Sequence, residues 1–241
     1  MTKHIREHET IYRSFLMLAK ILAFFGLTSC SSFFPKSDKN QHKNDHLQVL
    51  FIGNSYSFGV PKSFRDMAHK NGKHLKVASC AHGGWKLSMH QEYDPTLKKL
   101  RSKPWDIVVI QDFSLNGAYP ESRRVKEMYP SVVFFANEAR SIGARPMLYQ
   151  TWGRRDGQPG LRGDDFYQMN DRVRDGYARA ADHAGGIEVV PVGDAWDAEY
   201  RKGNGEKLFI EDGSHPSDYG NWVSARVFYE KIFGYEPEFT K

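Results

Sequence analysis

Four consecutive apolar residues, Ile107, Val108, Val109 and Ile110, stand between Asp106 and the pair Gln111-Asp112. A strand-length run without polar alternation must bury both of its faces. Covering both faces of a sheet takes helices on either side, and helical crossovers in turn join parallel strands. The rest of the chain from Leu47 onward fits that demand. Apolar runs at 49–52, 75–80, 145–152 and 187–196 read as further strands, and amphipathic stretches at 61–69, 95–103, 129–143, 166–186 and 215–234 read as helices between and after them. Gly72 and Gly143 mark helix ends, Pro130 marks a helix start, and Phe134, Phe135 and Ala139 share one sheet-facing side. The expected fold is α/β: a three-layer α/β/α sandwich with a five-stranded parallel sheet of flavodoxin-like type. At 241 residues and 40% hydrophobic content the chain can bury the core of one such domain.

The segment ahead of that domain has another character. Residues 1–30 carry basic groups followed by "FLMLAKILAFFGLTSC", an apolar stretch of signal-peptide length interrupted by Lys20. Its last four residues, Leu27-Thr28-Ser29-Cys30, resemble a bacterial lipobox in which Cys30 is acylated. The polar stretch 31–46 then reads as a flexible tether, and 47–241 as the folded domain. This arrangement implies export to the bacterial cell envelope, with the membrane met only through an N-terminal lipid. Residues 1–30 hold +2 of the net +5, and no Lys/Arg stripe or nucleic-acid-binding motif follows, so a nucleic-acid partner is not expected. With Cys30 lipidated, only Cys80 is left, which supports neither a disulfide framework nor a thiolate metal site. Nor do His82 and His90, which lack a companion carboxylate pattern, read as metal ligands.

In open parallel sheets, sites gather beyond the carboxyl ends of the strands. The loops falling there are Gly53-Asn54-Ser55, Ala81-His82-Gly83-Gly84, the stretch from Gln111 to Gly117, and Thr151-Trp152-Gly153. Ser55 needs a base within hydrogen-bond reach to act as a nucleophile, and the base needs an orienting group. Asp212 and His215, in "EDGSHPSDYG", are three apart, which in a tight loop lets the carboxylate meet one imidazole nitrogen while the other faces outward. Pro216 suits the first position of a helix, so His215 is expected at that helix's mouth, where the dipole disfavours imidazolium and ionised Asp212 opposes the penalty.

"FIGNSYSFG" followed much later by "DGSHPSDYG" resembles the SGNH, or GDSL-like, hydrolase superfamily over about residues 47–233. The resemblance implies the three-layer fold, no cofactor, and ester hydrolysis with Ser55 as nucleophile, His215 as general base and then acid, and Asp212 as orienting carboxylate. Asn54 departs from the common Gly-Asp-Ser. The oxyanion hole it implies comprises the Ser55 N–H, a glycine N–H from Gly83 (alternatively Gly84), and an amide side chain from Gln111 (alternatively Asn116). Trp85 and Trp152 fall near the expected mouth, where they either stack on sugar rings or cap the sheet core. The substrate expected is a small-molecule or glycan ester, with a short acyl group on a carbohydrate. An acyltransferase would use the same triad, and a catalytically silent glycan-binding protein would keep the fold and aromatics.

Overall fold

The computed structural model describes residues 46–239. The signal segment with Cys30, and all of the tether but His46, lie outside the described residues. Five strands, β1 (Leu47–Gly53), β2 (Leu75–Ala81), β3 (Ile107–Ile110), β4 (Arg145–Gln150) and β5 (Glu188–Pro191), form one parallel sheet in the order β2-β1-β3-β4-β5. This is the flavodoxin-like order, whose switch point lies between β1 and β3. The expected three-layer sandwich is therefore the observed one.

The unbroken apolar runs follow from that architecture, because alternate residues of each strand feed different cores. Val49, Phe51, Val109, Met147 and Tyr149 pack under α1 (Val60–Lys70), α7 (Val192–Arg201) and α9 (Asp218–Phe233). Leu50, Ile52, Val108, Ile110 and Leu148 pack on the other face under α3 (Asp94–Arg101), α5 (Tyr129–Ser141) and α6 (Phe166–His183). Each such fully buried aliphatic side chain is worth about 1.5–3 kcal/mol, so a polar residue at any of Ile107–Ile110 would open one core or the other. Short helices α2 (Leu87–Gln91), α4 (Glu121–Glu127) and α8 (Gly205–Leu208) complete the connections.

Three details differ from the sequence reading. The fifth strand stops at Pro191, and residues 192–196 begin α7 instead. Val192, Gly193, Trp196 and Glu199 are buried at helical spacing, a period masked by the apolar stretch that precedes it. On α5 the residues facing the core are Val132, Phe135, Ala136 and Ala139, whereas Phe134 is only partly buried. Finally, α9 begins at Asp218, with the Ser217 hydroxyl accepting from the Gly220 N–H at 3.1 Å. A side-chain cap outcompetes proline for the helix start, and Pro216 pairs with Phe209 in an isolated antiparallel bridge.

Candidate active site

The end of β1 enters a buried lattice of amides. Asn54 is 2% exposed and has every polar group engaged. Its N–H donates to Gln111 Oε1 at 2.9 Å, and its Oδ1 accepts from the Tyr56 N–H at 3.2 Å and from Gln111 Nε2 at 3.1 Å. Its Nδ2 donates to the carbonyls of Trp85 at 3.0 Å and Asp112 at 3.3 Å. One side chain thus ties together the loops after β1, β2 and β3. It also explains the departure from Gly-Asp-Ser, since a carboxylate has no proton to offer two carbonyl oxygens. Gly53 is required by close approach, because a Cβ there would collide with the Gln111 amide oxygen. Its carbonyl accepts from the buried His90 Nε2–H at 2.7 Å, and His90 Nδ1 meets Thr96 Oγ1 at 2.9 Å. Burial pushes the His90 imidazole down to about 4, so it is neutral and structural.

On this support a one-turn 3₁₀ segment, Ser55–Ser57, lifts Ser55 out of the sheet. The loop before α9 meets it from the opposite side. Asp212 Oδ1 accepts from the backbone N–H groups of Ser214 and His215, both at 2.9 Å, and Oδ2 lies 2.5 Å from His215 Nδ1. Gly213 makes this turn in the left-handed region, φ 62°. Burial raises the Asp212 carboxyl, but the bonds from His215 and Ser214 and the His215 charge outweigh that and hold it below its ordinary value. His215 Nε2 then stands 2.9 Å from Ser55 Oγ. The structure joins Ser55, His215 and Asp212 in one hydrogen-bonded relay, as the motif spacing implies. His215 owes its position to the loop and not to a helix mouth, because α9 starts three residues later: Ile210 N–H donates to His215 O at 3.0 Å and Ser217 N–H to Leu208 O at 2.9 Å.

Aromatic packing and three side-chain clasps join the halves. Tyr56 is stacked on Trp152, with centroids 4.6 Å apart, and Trp152 on Trp196 at 3.8 Å, while the Tyr56 ring meets His215 edge-on at 5.4 Å. Tyr56 OH shares a 2.6 Å hydrogen bond with Ser214 Oγ, and Trp152 Nε1–H donates to Ser214 O at 3.1 Å. From the loop after β4, Arg155 N–H donates to Gly213 O at 2.8 Å and its Nη2 to Glu211 O at 3.1 Å.

Several expected roles are corrected by these contacts. Gln111 is 1% exposed and points inward: Oε1 accepts from Asn54 and Ser57, and Nε2 donates to Asn54 and the Asp112 carbonyl. Its amide is spent on the turn, not aimed at an oxyanion. Asn116 is likewise buried, its Nδ2 donating to Asp112 Oδ2 at 2.8 Å. Trp152 is fully buried and supports the His215 loop, so it cannot stack on a sugar. Trp85 serves the site through its carbonyl, its ring stacking on His82 at 4.1 Å. Of the two glycines, Gly84 lines the cleft beside Ser55, with φ 74° and no atom within 4 Å of a would-be Cβ; Gly83 does not line it. The Ser55 and Gly84 N–H groups have no acceptor among the described residues.

Sequence reasoning missed Asp112 and Arg154. Asp112 is fully buried and accepts from the Leu87 N–H at 2.8 Å, the Phe113 N–H at 2.7 Å and Asn116, fastening the start of α2 to the loop after β3. Burial pushes its carboxyl up to about 6 against those three bonds. The signal available was an acid two residues beyond a buried strand. Arg154, adjoining Trp152-Gly153, lines the cleft together with Phe113 and Ser114.

No family model and no curated protein matches the sequence. Solved structures do. A protein of Slackia heliotrinireducens described as a candidate SGNH hydrolase is 28% identical over 78% of this chain and 99% of that one, with a TM-score of 0.64. A DUF4886 family protein from Bacteroides uniformis is 20% identical over 80% of this chain and 88% of that one, at TM-score 0.66. Axe2, an acetylxylan esterase from Geobacillus stearothermophilus, is 14% identical over 83% of this chain and the whole of that one, at TM-score 0.61. Motif order, strand order and the 28% identical solved structure agree in their support for the SGNH, or GDSL-like, hydrolase superfamily as the group this chain resembles, and the other two share its fold.

Proposed function

We propose that the protein is a serine esterase that hydrolyses a short acyl ester, with an acetylated carbohydrate as the substrate class, through an acyl-enzyme. The observation that carries this reading is the 2.9 Å contact between Ser55 Oγ and His215 Nε2, backed by the 2.5 Å contact of His215 Nδ1 with Asp212. With Asp212 holding Nδ1 protonated, Nε2 is left as the acceptor for the Ser55 proton. Ser55 Oγ attacks the ester carbonyl, and the unengaged N–H groups of Ser55 and Gly84, both in the cleft lining, are the donors for the oxygen on which charge builds. Such donors are worth about 3–4 kcal/mol each in enzymes where they have been removed. His215 then gives its proton to the leaving alcohol. In the second half it activates a water, which releases the acid from Ser55.

The cleft of about 140 Å³ favours a short acyl group over a long chain. Neighbours named acetylxylan esterases, Axe2 among them, supply the carbohydrate part of the reading. The lipobox-like Leu27–Cys30 stretch extends it to a lipid-anchored enzyme of the cell envelope. Ser55→Ala is expected to cut turnover of an aryl acetate by about 10⁴-fold or more, with the melting temperature nearly unchanged. Retention of wild-type turnover in that variant would remove Ser55 from the chemistry.

A further inference from the structure

The cleft beside Ser55 contains a permanent positive charge that the steps above do not use. Arg154 leaves the loop after β4 with its backbone N–H on Met169 Sδ at 3.3 Å, and its Nη2 donates to Ser114 Oγ at 3.2 Å. Its Nε is buried with no acceptor. The next residue makes a contrast: Arg155 lies within 3.7 Å of Asp156 and 3.4 Å of Glu206, whereas no carboxylate pairs with Arg154 among the described residues. A partly buried guanidinium without a counter-charge is unfavourable on its own and is satisfied by an arriving anion.

We propose that Arg154 selects esters that carry a carboxylate, so that the substrate presents its ester carbonyl to Ser55 and its own acid to the guanidinium. This rests on the esterase reading and narrows its substrate class. The charge count of the cleft favours a carboxylate over a phosphate dianion. Tyr56, Gly84, Phe113, Ser114 and Ser214 are uncharged walls, and Arg154 is the single permanent cation among the lining residues. Phe113 gives one side of the cleft an apolar surface, on which the uncharged part of such a substrate can lie. The carboxylate can belong to the acyl group or to the alcohol, as in a sugar acid, and the two sources are separable by assay.

The experiment compares kcat/KM for matched pairs on the full-length protein: an aryl hemisuccinate against its methyl ester, and an O-acetylated glucuronic acid against its methyl ester. A charge-assisted contact predicts a preference for the acid of about 10- to 100-fold in one pair, shrinking between low and high salt. The pair that shows it identifies which side bears the acid. In Arg154→Gln the ratio is expected to collapse towards unity, and in Arg154→Lys to be partly kept. A wild-type ratio near one in both pairs overturns the proposal, as does a ratio that survives Arg154→Gln. If Arg154→Gln instead lowers charged and neutral esters equally, the residue serves the oxyanion and the proposal also falls. An aryl acetate assayed with Ser55→Ala separates the two failures: without Ser55-dependent turnover the esterase reading itself is lost, whereas Ser55-dependent turnover lacking charge preference removes only this inference.

Discussion

The turn after β1 and the loop before α9 supply the two halves of one relay and are held in opposite ways. Ser55 stands on a turn whose supports are buried: Asn54, Ser57 and Gln111 are at most 2% exposed, and their partners are neighbouring strand ends. His215 and Asp212 have side chains 39% and 43% exposed, in a loop fastened from outside by Tyr56, Trp152 and Arg155. The first half borrows its rigidity from the sheet; the second is clasped to it by side chains. A buried polar lattice penalises any lost partner with its full desolvation cost. An exposed loop can take water in place of a lost partner, so damage there falls on alignment more than on stability.

That contrast is sharpest where chemistry and stability separate. Asp212→Asn keeps an oxygen for the two backbone N–H donors but presents an amide to His215 Nδ1, favouring the wrong tautomer. kcat on an aryl acetate is expected to fall by about 10⁴-fold, with a shift in melting temperature of no more than about 3 °C. A large loss of stability in this variant would show the loop to be as integral to the fold as the Ser55 turn.

The buried half should answer to pH through its folding stability. His90 is neutral in the folded protein, its imidazole lowered to about 4 chiefly by burial, against an ordinary 6.5. The unfolded chain therefore binds the extra proton first as pH falls, and the stability contributed by neutral His90 is full above 6.5 and lost on approach to 4. The loss amounts to about 3 kcal/mol. Because Asp112, raised to about 6, titrates with the opposite sign in the same range, the measurement is the stability difference between wild type and His90→Gln by urea unfolding. That difference should shrink between pH 7 and pH 4.5; a constant difference would mean His90 is not held neutral by the fold.

A smaller effect tests the amide lattice directly. Asn54→Asp restores the more common Gly-Asp-Ser sequence yet sets a carboxylate against the Trp85 and Asp112 carbonyls. About 2 kcal/mol of stability should be lost, read as a melting point lower by about 4–8 °C. An unchanged melting point would show that the loops after β1, β2 and β3 are not coupled through this residue.

The strands and the relay were legible in the sequence for the same reason: both are encoded by local pattern. Ile107–Ile110 is apolar at every position because both faces of β3 are covered, and the Asp-x-x-His spacing fits one tight turn whatever surrounds it. The start of α9 is not legible in the sequence because Pro216 and Ser217 are both acceptable helix openings, and the antiparallel bridge from Phe209 to Pro216 chooses between them. In sequence Trp152 is equally compatible with a sugar platform and a buried support; in the fold Tyr56 and Trp196 both stack on it and make it a support.

What the sequence alone determined was which groups exist near the strand ends and how far along the chain they lie. What only the tertiary structure decided was the direction in which each group points. Gln111 can donate towards a cleft or turn inward, and the choice was made by Asn54 and Ser57, more than fifty residues away, whose backbone N–H and hydroxyl needed its oxygen. Arg154 is one arginine among many in the sequence; it lines the cleft of Ser55 because β4 and β1 flank β3 and end on the same rim of the sheet, and no carboxylate among the described residues pairs with it. Hydrogen bonds and ion pairs are satisfied across space and not along the chain, so such directions are properties of the fold.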